Sequence, residues 1–354
     1  MGQIIDSKYL IEEVVGQGGM GKVYRARHIH MDTKVAVKIL HPHLVSDSVA
    51  VERFRREARV ALAVDHPNAI KVMDFGVSGR QTVYLVMEFL EGQSLRQIIS
   101  QQGALPAARV VEIAQQICAA LDSAHAKGII HRDIKPDNVI LINPNTPQEV
   151  IKVLDFSIAK LKTAEGAVLT QQGMVVGTPQ YMSPEQGEGR ELDHRSDIYS
   201  LGVILYELLT GHLPFKGSSP IALVLNHIHS LPKPLRELNP QVPPAIEAVV
   251  LKALAKKRED RQQSAKQLAD ELVTALSNPL PREDSLSSNP ASIPPRVALE
   301  SGGQKSISLT SKPLETYISA IVTTSPDKLK IVLYVVSVAI VMVLIVVVVW
   351  FVLS

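Results

Sequence analysis

The chain has 354 residues and a formal net charge of +2, a length that suits two domains or one large domain with additions. That near balance of charge gives no nucleic-acid footprint and no long-range steering field. Its one cysteine, Cys118, excludes an internal disulfide and lies in an apolar helical pattern, where a buried core thiol belongs.

Met1-Gly2 begins like a myristoylation signal, but Asp6 stands where that signal requires Ser or Thr. The polar N-terminus, with only short apolar runs, predicts no secretory leader. Residues 9–40 alternate apolar and polar and are broken by glycines, which predicts strand, glycine loop, strand and a further strand. The loop is Gly16-Gln17-Gly18-Gly19-Met20-Gly21-Lys22-Val23. In dinucleotide-binding folds such glycines open a helix. Here Val23-Tyr24-Arg25-Ala26 continues as strand and leads to Val35-Ala36-Val37-Lys38, so a glycine-tipped hairpin is expected. Residues 49–64 read as a helix with Val51, Phe54, Ala58, Ala61 and Leu62 inward, stopped by His66-Pro67-Asn68. Strands are expected at Ile70–Phe75 and Val83–Phe89, with a turn at Glu91-Gly92.

Pro106–Lys127 reads as a long amphipathic helix with Val110, Ile113, Ile117, Leu121 and Ala124 as its core stripe and Gly128 as its stop. Val139–Ile142 and Val150–Leu154 read as a hairpin around the proline-bearing turn at 143–149. Asp155-Phe156-Ser157 follows, then a polar stretch from Lys160 to Thr178. Asp197-Ile198-Tyr199-Ser200-Leu201-Gly202 opens an apolar helix ending at Gly211, and Pro243–Ala275 is helical again. The pairs His28/His30, His41/His43 and His227/His229 lack accompanying cysteines or clustered carboxylates, which argues against a metal site. Over 276–330, Ser, Pro and Asn dominate and periodicity is lost, as in a disordered linker. Ile331–Leu353 carries no charge and inflates the 46% hydrophobic content. As a helix it is roughly 35 Å long, enough to span a bilayer. Lys328 and Lys330 just before it put the preceding residues on the cytoplasmic side of a single-pass plasma-membrane (inner-membrane) protein.

His131-Arg132-Asp133-Ile134-Lys135-Pro136-Asp137-Asn138 sets a carboxylate, an ammonium and a carboxamide on one short loop, the three groups that phosphoryl transfer uses. With the glycine loop, Val35-Ala36-Val37-Lys38, Asp155-Phe156-Ser157, Ser183-Pro184-Glu185 and Asp197 in order, residues 9–275 resemble the protein kinases. Lys135 two residues after Asp133 resembles the serine/threonine branch, and the likeness is greatest to bacterial transmembrane kinases of the eukaryotic-like type. The resemblance implies an α+β, bilobal protein-kinase fold in a domain over 1–275. Its N-lobe, about 9–88, would be a small antiparallel sheet with one helix, and its C-lobe, about 92–275, mainly helical. The linker at 276–330 and the transmembrane helix at 331–353 would follow.

The same resemblance implies ATP and Mg²⁺ as cofactors, with Mn²⁺ as a substitute, and protein substrates bearing Ser or Thr. It assigns phosphate binding to Gly16, Gln17, Gly18, Gly19, Met20 and Gly21, and the nucleotide walls to Val23 and Ala36. Lys38 would hold the phosphates while paired with Glu57, with Glu52 as the competing carboxylate. Met87 would sit behind the adenine, with Glu88 and Leu90 offering backbone groups to the base edge. Asp133 would orient the attacking hydroxyl, Lys135 stabilise developing charge, and Asn138 and Asp155 hold the metal. Thr178 would bridge Asp133 and Lys135, Glu185 pair with Arg261, and Asp197 bond back to the catalytic-loop backbone. Thr170 is the expected phosphosite, met by Arg132, with a homodimer allowing phosphorylation between copies. Ser157 departs from the glycine usual at that position. It is the one residue favouring the alternative, a membrane-tethered pseudokinase scaffold that binds nucleotide.

Overall fold

The structure, a computed structural model, describes residues 2–79, 82–156 and 178–277. The expectations for Ser157, for the polar stretch at 160–177 including Thr170, for the linker beyond 277 and for Ile331–Leu353 lie outside these residues. Among the described residues no helix is long and apolar enough to cross a membrane.

Alternation of apolar and polar residues produces β1 (Ile4–Ile5), β2 (Tyr9–Gln17), β3 (Gly21–His28) and β4 (Thr33–Leu40). After α1 (Ser48–Ala63) come β5 (Val72–Ser78) and β6 (Thr82–Glu88). The six strands form one antiparallel sheet in the order β1-β2-β3-β4-β6-β5. One face closes on its own small core of Ile5, Tyr9, Ile11, Ala26, Val35, Val37, Tyr84 and Val86. The other face receives α1, where Leu40, Val83 and Leu85 meet Phe54, Ala58 and Ala61. Asp47 caps α1, its carboxylate accepting from the N–H groups of Val49 and Ala50 at 2.9 and 3.3 Å. Leu62, expected on the buried stripe, is 51% exposed instead, because at 100° per residue it stands roughly 80° round from Phe54.

The C-lobe begins with β7 (Gly92–Ser94) and α2 (Leu95–Gln102), followed by α3 (Ala107–His125). Every residue of the expected α3 stripe is buried. β8 (Val139–Ile142) and β9 (Val150–Val153) pair as the expected hairpin, and β7 extends it to three strands. α4 (Pro184–Gly187) precedes α5 (Arg195–Thr210), which is buried on all sides from Ser196 onward and ends at Gly211 with φ 72°. A helix apolar all round belongs in the middle of a core, and α5 is that middle here. α6 (Pro220–His229), α7 (Leu235–Leu238), α8 (Pro244–Ala253) and α9 (Ala265–Ser277) surround it. The single helix expected over 243–275 is therefore two. Between them the chain turns so that Arg261 enters the interior. α9 also runs two residues past the expected domain end.

Arg261 is 2% exposed, yet all five of its N–H donors are satisfied. Nη1 and Nη2 each donate to one oxygen of Glu185 at 2.8 Å, and the rest go to the carbonyls of Ala255, Lys256 and Arg195. Burial alone would raise the Glu185 carboxyl, but Arg261 and the Ser196 hydroxyl hold it below its ordinary value. A carboxyl depressed by folding stabilises fully above its unfolded pKa of about 4.3, and the benefit is lost as pH falls through the lower folded value. Arg261→Met strands that buried carboxylate, and urea unfolding at pH 7 should show a loss of about 3–5 kcal/mol. At pH 3 the same substitution should cost measurably less; an equal cost at both pH values would contradict the ionic account.

Candidate active site

Pairing register decides which side chains of the upper sheet share a surface. Val23 lies opposite Lys38, Lys38 opposite Leu85, and Ala36 opposite Met87. Cross-strand partners share a face, and so do residues two apart on one strand. Val23, Ala36, Lys38, Leu85 and Met87 thus lie on one side of the sheet, the side that carries α1. Between β2 and β3, Gly18 donates to the Gly21 carbonyl at 2.9 Å and closes the glycine loop. Gly21 lies so close to β4 that a Cβ there would fall 2.1 Å from the Ile39 carbonyl oxygen, so no larger residue fits without moving the strand.

Lys38 stands between two carboxylates, 3.3 Å from Asp155 and 3.9 Å from Glu57. Asp155 raises the Lys38 pKa most, against the effect of burial, and Glu57 adds to it. Glu57 is itself raised, because burial outweighs a lysine as far away as 3.9 Å. Glu52, the competing carboxylate, meets Arg55 and Arg59 instead, at 3.4 and 4.0 Å.

Asp155 follows β9, which is tied to both lobes. Val153 donates to Asn68 and accepts from Ile70, at 2.8 and 2.9 Å, and Leu154 donates to the Asn138 carbonyl at 2.8 Å. Buried His131 donates from Nε2 to the Leu154 carbonyl at 2.8 Å and meets buried Phe156 edge-on at 5.0 Å. Asp155 is held at φ 48° and Arg132 at φ 67°, left-handed angles that cost a side-chain-bearing residue roughly 1–2 kcal/mol each.

Asp197 compensates at Arg132. Its buried carboxylate accepts from the backbone N–H groups of His131 and Arg132, both at 2.8 Å, and from the His125 imidazole at 2.8 Å. Burial alone would raise this carboxyl, yet His125 and His131 hold it below its ordinary value. Gln186 captures the Arg132 carbonyl at 2.8 Å. Within the loop so fixed, Lys135 reaches Asp133 at 2.9 Å and Thr178 at 3.2 Å. Asn138 donates its Nδ2 to the Asp133 carbonyl at 2.9 Å, which leaves its carboxamide oxygen as the group for another partner. Burial lowers the Arg132 pKa, against the pull of Asp197, and among the described residues its buried Nε has no hydrogen-bond partner. After Thr178 the chain is anchored through Tyr181, whose hydroxyl donates to buried Glu207 and accepts from Arg96.

At the strand leaving the sheet, the Glu88 N–H donates to the Lys71 carbonyl at 3.0 Å. The Glu88 carboxylate accepts from the Lys71 N–H and from Lys152, at 2.8 and 2.7 Å. Lys152, His125 and Gln186 are positioning residues that the sequence reading passed over. His125 and Lys152 carried no motif, whereas Gln186 is announced by the Ser183-x-x-Gln186 capping box.

Among the described residues no group of three or more His, Cys, Asp or Glu side chains could hold a metal unaided. The half-exposed Asp155 carboxylate and the Asn138 oxygen make a two-oxygen set. That suits Mg²⁺, which is commonly held by one or two protein oxygens and completed by phosphate and water.

The family model for the protein kinase domain matches residues 9–276. Serine/threonine-protein kinase pkn3 of Myxococcus xanthus is 45% identical over 276 residues, which are 77% of this chain and 50% of that protein. Serine/threonine-protein kinase PknB of Mycolicibacterium smegmatis is 41% identical over 77% of this chain and 43% of its own length. The chain thus spans about half the length of these relatives, or less. The crystal structure of the PknI kinase domain of Mycobacterium tuberculosis superposes with a TM-score of 0.60 at 27% identity, covering 77% of this chain and 98% of that one.

Proposed function

Because the chain belongs to the protein kinase family, we propose that it is a serine/threonine protein kinase transferring the γ-phosphate of ATP to Ser or Thr hydroxyls of protein substrates. The observation that carries this reading is the convergence of Lys38, Glu57 and Asp155 above a loop that sets Asp133, Lys135 and Asn138 together. ATP would supply the phosphoryl group, and magnesium, which Asp155 and Asn138 would hold, would neutralise phosphate charge. Lys38 binds phosphate from the sheet, with Glu57 and Asp155 keeping it charged and aimed. The glycine loop, from Gly16 to Gly21, offers backbone N–H groups. Val23, Ala36 and Met87 give the base an apolar wall, and the backbone at Glu88 and Leu90 its polar edge. Asp133 accepts a hydrogen bond from the substrate hydroxyl and orients it. Lys135, held between Asp133 and Thr178, stands where charge develops. A scaffold that binds nucleotide without transfer has Ser157 alone in its favour.

Regulation and placement belong to the same proposal. A half-buried guanidinium directly before Asp133, with no partner for its Nε among the described residues, supports an anionic partner for Arg132. A phosphothreonine would bring about −1.5 to −2 charges and three acceptor oxygens, and Thr170 is the residue we assign to it. Ile331–Leu353 would anchor the chain in the plasma membrane with the kinase domain cytoplasmic, favouring transfer between neighbouring copies.

Three measurements check these statements. Asp133→Asn in the purified full chain should abolish nearly all autophosphorylation while ATP affinity stays within about twofold, since Asp133 handles the hydroxyl and not the nucleotide; wild-type transfer rates would overturn its role. Thr170→Ala should slow substrate phosphorylation about tenfold, a barrier change of roughly 1.4 kcal/mol, and phosphopeptide mapping should find Thr170 modified in active preparations. Full-length chain should stay with membranes through alkaline carbonate extraction, and its recovery in the soluble fraction would exclude a spanning helix.

A further inference from the structure

The tip of the glycine loop contains two consecutive glycines with almost nothing around them among the described residues. Among the described residues a Cβ at Gly19 would meet nothing within 4 Å, and one at Gly18 only the Gly21 carbonyl oxygen, at 3.9 Å. Glycine crosses between backbone regions at little cost, so packing alone does not decide which way the peptide between them faces. Among the described residues one side chain reaches it. His41, at the end of β4, sets its Nε2 3.1 Å from the Gly18 carbonyl oxygen. A carbonyl only accepts, so that nitrogen carries the hydrogen and donates.

His41 is itself firmly placed. Its N–H donates to the Met20 carbonyl and its carbonyl accepts from Leu44, both at 2.9 Å. Its ring stacks on His43, with centroids 5.4 Å apart and planes 16° from parallel. Met20 packs against the cluster of Leu40, Phe54 and Ala58. The loop is thus tied from behind at two carbonyls, those of Gly18 and Met20, by one residue three positions after Lys38.

We propose that His41 is a positioning residue of the nucleotide site, fixing the Gly18–Gly19 peptide so that the Gly19 N–H is presented to the phosphates of a nucleoside triphosphate. In a planar trans peptide the carbonyl and the following N–H point in opposite directions. Holding the Gly18 carbonyl back therefore turns the Gly19 N–H out. The flipped peptide would offer a carbonyl oxygen to a polyanion and repel it. His41 raises the fraction of loops competent to bind, and apparent affinity scales with that fraction. The inference rests on the kinase reading and adds a residue to it.

The experiment compares full-chain wild type, His41→Ala and His41→Gln by calorimetric binding of ATP and of adenosine, with steady-state kinetics and thermal melts alongside. For His41→Ala the Kd and KM for ATP should rise about 3–10-fold, the size of one lost hydrogen bond, while adenosine affinity, peptide KM and melting temperature stay put. His41→Gln keeps an N–H donor and should recover most of the ATP affinity. Equal ATP affinity in wild type and His41→Ala, or parallel losses for ATP and adenosine, would overturn the proposal. Wild type that fails to bind ATP would instead remove the kinase reading beneath it.

Discussion

The loop from His131 to Asn138 depends on one buried anion. Asp197 is 1% exposed, and an unpaired carboxylate there would be strongly destabilising. It is tolerated because two backbone N–H groups and an imidazole converge on it. That convergence holds His131 and Arg132 in a backbone shape that Arg132 would not take unaided, with φ 67°. Once those two residues are fixed, His131 reaches across to Leu154 and the next residue, Asp155, is placed. A helix of the core, α5, thus sets two separate segments of the site through one side chain. Burying α5 on all sides is what keeps the anion in register with them.

The upper lobe is organised differently. Its sheet has a small core of its own on one face, and the site-bearing face packs against α1 and Met20 of the glycine loop. The Lys38–Glu57 contact is looser than the buried pair below: 3.9 Å, against a doubly bonded 2.8 Å from Arg261 to Glu185. Direct pairing in a partly solvated cleft contributes little, so Glu57 aims Lys38 more than it stabilises the fold. Lobes joined by backbone bonds at Asn68, Ile70 and Val153 keep Asp155 common to both groups.

Much of this was legible from the residues. The glycine hairpin, α3 and the β8–β9 hairpin follow from periodicity and punctuation alone. The choice of Glu57 over Glu52 came from resemblance, yet helix geometry yields it too. With Phe54, Ala58 and Ala61 inward, Glu57 lies roughly 60° from Phe54 and Glu52 roughly 160°, facing solvent. The helices that escaped notice carried signals of another kind. α2 starts at a Ser94-x-x-Gln97 capping box, and α6 at Ser219 with proline in the first turn. Both are too short for periodicity to stand out. The break between α8 and α9 is hidden from periodicity because apolar spacing runs on through 243–275, although the resemblance already pairs Arg261 with Glu185, 76 residues earlier.

His41 illustrates what no motif encodes. As one half of a histidine pair it invites a metal reading, and its neighbours refuse that for want of further ligands. Its contact with Gly18 depends on β3 and β4 pairing with Gly21 opposite Leu40, which brings the loop back over the strand that follows. A register shift of one residue would send the imidazole to the other face of the sheet. The shape of the glycine loop therefore rests on two kinds of information. Glycines permit the peptide to face either way, and the strand register sets a donor beside the Gly18 carbonyl.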